Sequence, residues 1–112
     1  WAVLHGCDLA EWHANTAGLP VPLFRHIAEH ESGCRNDITN RYGRACCHGV
    51  WQIHQLWLND PRVQACGATD IASLRADTAE SWAINACAAA VILDVQGLRA
   101  WQVCTRNIVR CW

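Results

Sequence analysis

Between Val21 and Gly33 the apolar positions recur with a helical period. Stepped at about 100° per residue, Leu23, Phe24, Ile27 and Ala28 fall on one side, and Arg25, His26, Glu29 and His30 fall on the other. Glu31 breaks this division, because it lies in the middle of the apolar stripe, four residues after Ile27 and seven after Phe24. The same periodicity predicts an earlier helix from about Leu4 to Ala17, stopped by Gly18, and ends the helix entered at Pro20-Val21-Pro22 on Gly33. From Cys34 to Cys47 the chain is polar and rich in turn formers (Asn36, Asp37, Asn40, Gly43), which predicts an irregular hairpin. Helical periodicity resumes weakly from Gly49 to Leu58 and again after Asp70. Asp77-Thr78-Ala79-Glu80 opens a helix with a capping box that runs to about Gln96 and stops at Gly97. A last helix, Leu98 to about Val109, carries Trp101 inward. The expected fold is α+β and predominantly helical, one domain over residues 1–112, with a small β-hairpin or loop lobe whose junction with the helices can form a cleft.

A chain of 112 residues is long enough to bury roughly two thirds of its unfolded surface. Its longest apolar run, Ala86 to Leu93, falls well short of the ~18 residues of a membrane span, so a soluble monomer with no membrane partner is expected. All nine basic residues are isolated arginines and the formal charge is −1, which argues against nucleic acid as a partner, because phosphate affinity needs clustered cations. The chain opens on Trp1 rather than Met and is expected to be a processed product or a piece excised from a longer chain.

Eight cysteines in so short a chain point to four disulfides and to secretion into an oxidising compartment. Zinc is the competing use of cysteine, but there is no C-x-x-C pair, and adjacent Cys46 and Cys47 cannot both ligate one ion without strain. A bridge from Cys7 to Cys104 or Cys111 would tie the chain ends together.

Two chemistries compete in "HIAEHESG". His26-x-x-Glu29-His30 matches an inverted zinc-peptidase motif, which requires both histidines on a sheltered face. The wheel turns them toward water, so the expectation is a solvated polar face and no metal. Glu31 is either a buried carboxylate satisfied by a cap or an arginine, or an acid held protonated. Desolvation and the negative end of the helix dipole both favour the protonated form. An acid that keeps its proton near neutrality can donate it to a leaving oxygen.

The text around Glu31 resembles the lysozyme superfamily over most of the chain. "GCDLAEWHANTAGLP" is similar to the opening helix of C-type lysozymes, "AEHESGCRNDITNRYG" to their catalytic helix end and loop, "GVWQIHQLWLND" to the hairpin exit, and "NACAAAVILDVQGLRAW" to the late helix. Glu31-Ser32 followed by Gly49-Val50-Trp51-Gln52-Ile53 also resembles lytic transglycosylases. The resemblance implies a two-lobed, disulfide-stapled domain without a cofactor. It implies cleavage of the β-1,4 bond between N-acetylmuramic acid and N-acetylglucosamine in peptidoglycan, or of a chitin-like oligosaccharide. Glu31 would be the general acid, Asn40 would border the cleft, Gln52 would line it, Trp57 would stack on a sugar, and Trp101 would shield Glu31. Cys66 would pair with Cys87.

One departure changes the expected mechanism. The place two residues before Gly49, where C-type lysozymes carry a second carboxylate, is Cys47, and "GRACCH" contains no acid. The expectation is therefore single-acid chemistry, with Asp37 as the nearest possible second acid and Asp60 and Asp70 more remote. Cys46 and Cys47 would staple the hairpin loop through Cys34. The alternative function is a catalytically silent module of the superfamily that binds sugar or protein.

Overall fold

The computed structural model describes residues 4–39 and 46–112. Helix α1 (Gly6–Ala17) ends at left-handed Gly18, φ 78°, where the N–H of Leu19 returns to the Ala14 carbonyl at 2.9 Å. Helix α2 (Val21–Ser32) begins with Pro22 in its first turn, where the missing N–H costs no hydrogen bond. It ends the way α1 does. Gly33 adopts φ 64° and the N–H of Cys34 closes on Ala28 O at 3.1 Å. Both stops fall where the glycines predict them.

The hairpin lies further along than its turn residues suggest. Strands β1 (Cys47–His48) and β2 (Ile53–His54) pair antiparallel, with Cys47 opposite His54 and His48 opposite Ile53, and Thr39 bridges to His48. The expected weak helix over Gly49–Leu58 is instead a tight turn, β2, and a 3₁₀ turn over Gln55–Asn59. Two buried asparagines explain the difference. Asn36 Oδ1 accepts from Val50 N at 2.9 Å and its amide donates to Ala76 O and Ser81 Oγ; Asn85 Oδ1 accepts from Trp51 N at 3.2 Å and its amide donates to His48 O and Leu74 O. Every polar atom of these amides is used, so the turn is held by long-range bonds that strand propensity does not reveal. Gly49, φ 80°, sits against both amides, and a Cβ there would run into Asn85 Nδ2, Leu74 O and Asn36 Oδ1.

After the hairpin, Asp60 caps α3 (Pro61–Ala65) by accepting from Arg62 N at 2.8 Å. Asp70 and Ser73 form a capping box on α4 (Ile71–Leu74). Helix α5 (Ala79–Gln96) is capped by Thr78, which accepts from Ser81 N, so the helix starts as expected while the capping box belongs to α4. By length and apolarity the stretch Ala79–Thr105, which opens with α5, could cross a membrane. Here α5 is the core helix, packed by α1, α3, α4, β2 and the 3₁₀ turn Gly97–Ala100, which accounts for its apolar character on all sides. The predicted last helix is broken: only α6 (Gln102–Thr105) forms, between extended Trp101 and left-handed Asn107.

Four disulfides join all eight cysteines. Cys66–Cys87 ties α3 to α5 as the resemblance implied. The chain ends are not linked to each other: Cys7 bonds Cys34, and Cys104 bonds Cys111. Cys46 bonds its neighbour Cys47, so Cys34 does not staple the hairpin. In the loop-closure picture, the spans of 27 and 21 residues closed by Cys7–Cys34 and Cys66–Cys87 are each worth on the order of 3 kcal/mol.

Candidate functional site

Helix α2 divides as its wheel predicts. Phe24, Ile27, Ala28 and Ser32 are buried. On the outer face Arg25 reaches Asp8 at 2.9 Å, Glu11 at 3.1 Å and Glu29 at 3.5 Å. The His26 side chain is 61% exposed, with Nδ1 3.5 Å from Glu29, and His30 is exposed as well. Among the described residues no group of three or more histidines, cysteines and acids gathers to hold a metal. The residues of the H-x-x-E-H spacing lie on an exposed face where Arg25 pairs with the acids around it.

Glu31 lies in the last turn of α2, mostly withdrawn from water, and no ion pair among the described residues reaches it. Burial pushes its carboxyl from 4.5 up to about 7, while the backbone N–H of Val103, in α6, pulls weakly the other way by favouring the charged form. The neighbouring Ser32 fixes where this acid sits. Its hydroxyl donates to Val50 O at 2.8 Å, lies 3.1 Å from Ala28 O, and accepts from Arg35 N, locking the end of α2 onto the hairpin turn. Trp51 Nε1 donates to Phe24 O, and Trp101 Nε1 donates to Trp51 O, both at 2.9 Å. Phe24 packs edge-on against both indoles, 6.1 Å from Trp51 and 5.0 Å from Trp101. The turn, α2 and the segment leading to Val103 are one packed unit.

The remaining candidates fall into different surroundings. Gln52 adopts φ 52°, a left-handed conformation that side chains rarely take, at the tip of the hairpin. Its Nε2 donates to Gly49 O at 2.8 Å and Ile38 O at 3.4 Å, which fixes the amide orientation, and leaves a buried Oε1 with no partner among the described residues. Trp57 is half-buried on the 3₁₀ turn Gln55–Asn59. Trp101 is only 3% exposed, and its N–H is used internally, so no polar atom of that side chain is free for a sugar. Asp37 is clasped by Arg35 at 3.0 and 3.1 Å, which holds its carboxyl below the usual range. Asn40 lies outside the described residues.

With this geometry fixed, three relatives are informative. The chain is 35% identical to mouse lysozyme C-2 over 104 residues, covering 87% of this chain and 60% of the relative. It is 33% identical to rat lysozyme C-1 over 108 residues, covering 92% of this chain and 64% of the relative. A further rat protein is 32% identical over 117 aligned residues, 94% of this chain and 77% of its own length. The chain belongs to the lysozyme superfamily.

No family profile and no solved structure matches it. This superfamily member spans 60% of the length of mouse lysozyme C-2 and 53% of that of mouse lysozyme C-1. Its four disulfides fit the extracellular, oxidising compartment of a lysozyme-like chain. Two surface grooves, of about 550 and 570 Å³, flank Trp12 on α1, and Glu31, Gln52 and Trp57 border neither. Sequence reasoning missed the Ser32 clamp and the buried Asn36 and Asn85, whose only signal is their polarity amid apolar neighbours. It could not have found the Val103 N–H, because a backbone donor leaves no mark in a side-chain pattern.

Proposed function

We propose that this lysozyme-like chain is a glycosidase that cleaves the β-1,4 bond between N-acetylmuramic acid and N-acetylglucosamine in peptidoglycan, acting as a secreted monomer. The observation that carries the reading is the carboxyl of Glu31, raised to about 7 by burial on a helix whose one other acid, Glu29, faces water. Glu31 is the general acid, protonating the glycosidic oxygen as the bond breaks. The resulting carboxylate then acts as base, either toward water or toward the sugar's own 6-hydroxyl, which would close an anhydro ring. Asp37 is anchored to Arg35, which favours the single-acid route over one with Asp37 as partner. Gln52, beside the hairpin turn, and Trp57, through a ring face, are the sugar contacts that the resemblance implies, and Trp101 stiffens the apolar wall from within.

Clearing of a peptidoglycan suspension by the wild-type chain, lost in Glu31→Gln, tests the assignment. Mass spectrometry of the products separates reducing ends from anhydro ends. The second reading, a silent sugar- or protein-binding module, draws on the absence of any acid at Cys46, Cys47 and His48. Saccharide binding without turnover in the wild-type chain would favour it.

A further inference from the structure

The Cys46–Cys47 bond differs in kind from the other three. Cys7–Cys34 and Cys66–Cys87 join separate elements, and Cys104–Cys111 closes the chain end around α6; Cys46–Cys47 joins sequence neighbours and constrains nothing beyond one peptide. A cross-link stabilises by the loop it closes, and this one closes none, so the fold gains almost nothing from it. Both sulfurs belong to half-exposed residues, as do those of Cys66–Cys87, whereas the other two bonds each have one buried partner, Cys34 and Cys104.

Its neighbour is chemically apt. In the hairpin Cys47 stands directly opposite His54, while His48 and Ile53, the other pair, are buried. Directly opposed residues share a face, so Cys47 and His54 both project away from the core, with Cβ atoms about 5 Å apart in such pairs. His54 Nδ1 accepts from Leu56 N at 3.1 Å, capping the 3₁₀ turn, and this places the proton of the neutral ring on Nε2. The residue across the hairpin from Cys47 therefore carries a ring N–H donor.

We infer that Cys46–Cys47 is a reversible thiol–disulfide exchange site, opened by external thiols while the three other bonds stay closed. A thiolate attacks Cys46 Sγ; the new mixed disulfide forms as the Cys46–Cys47 bond breaks, and Cys47 departs as a thiolate that accepts a hydrogen bond from His54 and then a solvent proton. A second external thiol attacks the mixed disulfide, leaving Cys46 as a thiol and releasing the external pair as its disulfide. Two electrons pass from the two external thiols to the cysteine pair. A stabilised leaving thiolate speeds the first step. Opening also releases the peptide whose carbonyl, Cys46 O, accepts from Gln55 N at 2.9 Å, so the exit of the hairpin loosens.

The test is partial reduction of the folded chain with dithiothreitol, thiol alkylation and peptide mapping, none of which requires turnover, so its failure is distinct from failure of the glycosidase reading. Cys46 and Cys47 are expected to be labelled together at least ~tenfold faster than any other cysteine, to reclose with oxidised glutathione, and to slow in His54→Ala while Cys66–Cys87 keeps its rate. In the reduced chain the Gln55 amide should exchange with solvent faster. A Cys46→Ala/Cys47→Ala chain should keep its melting temperature. Labelling of another pair first, failure to reclose, an unchanged rate in His54→Ala, or free thiols at 46 and 47 before any reductant would each overturn the assignment.

Discussion

The two faces of α2 carry one glutamate each within three residues. Glu29, on the outer face, has Arg25 and His26 each 3.5 Å away, and Arg25 also serves Asp8 and Glu11. Glu31, two residues on, has no cation partner among the described residues, a buried neighbour in Ser32, and a carboxyl raised to about 7. Sequence separation cannot produce this contrast. What differs is the direction set by the helical period and the fact that the hairpin turn, through Ser32 and Val50, closes over one face only. Like side chains thus acquire unlike chemistry from packing. A charge left in water binds partners cheaply, and one forced toward the core becomes a proton store.

The contrast can be broken at several points. The largest effect is expected from Glu31→Gln, which should lower turnover by roughly 10²–10⁴-fold, the range general acid catalysis supplies, with an unchanged circular dichroism spectrum. Gly49→Ala should come next. The added methyl meets Asn85, Leu74 and Asn36 at a φ of 80°, and a loss of about 3–5 kcal/mol in denaturant unfolding is expected.

Third, Glu31 makes stability depend on pH. Its folded value of about 7 lies above its ordinary 4.5, so the stability linked to the proton is complete at acid pH and is lost as the pH rises through 7. Glu31→Gln removes that loss and should be more stable than wild type by about 3 kcal/mol at pH 8, with no advantage at pH 4. Urea titrations at the two pH values give the comparison. The smallest effect belongs to the outer face: Glu29→Gln should change stability by less than about 1 kcal/mol and leave turnover unaltered.

The helix ends were readable because each is signalled locally. Gly18, Gly33, Thr78 and Gly97 stand where a stop or a cap is needed. The inward direction of Glu31 was readable for a similar reason, since only its position in the period of α2 was required. The hairpin was not. Its strands are two residues each, too short for alternation to show, and its turn is held by Asn36 and Asn85, which are distant in sequence. The disulfides divided along the same line: Cys66–Cys87 came from the resemblance, whereas Cys7–Cys34 depends on how α1 meets the end of α2, and cysteine spacing carries no trace of that. The short final helix depended on the left-handed turn at Asn107, which nothing nearby announces.

Carbon-13 labelling of the glutamate side-chain carboxyls, followed by NMR titration of the folded chain, reports the protonation of Glu31 directly. Its signal should titrate with a midpoint near 7 and vanish in Glu31→Gln. A midpoint near 4.5 would mean that the carboxyl is hydrated and charged at neutrality, and the proton-donor role would fall with it.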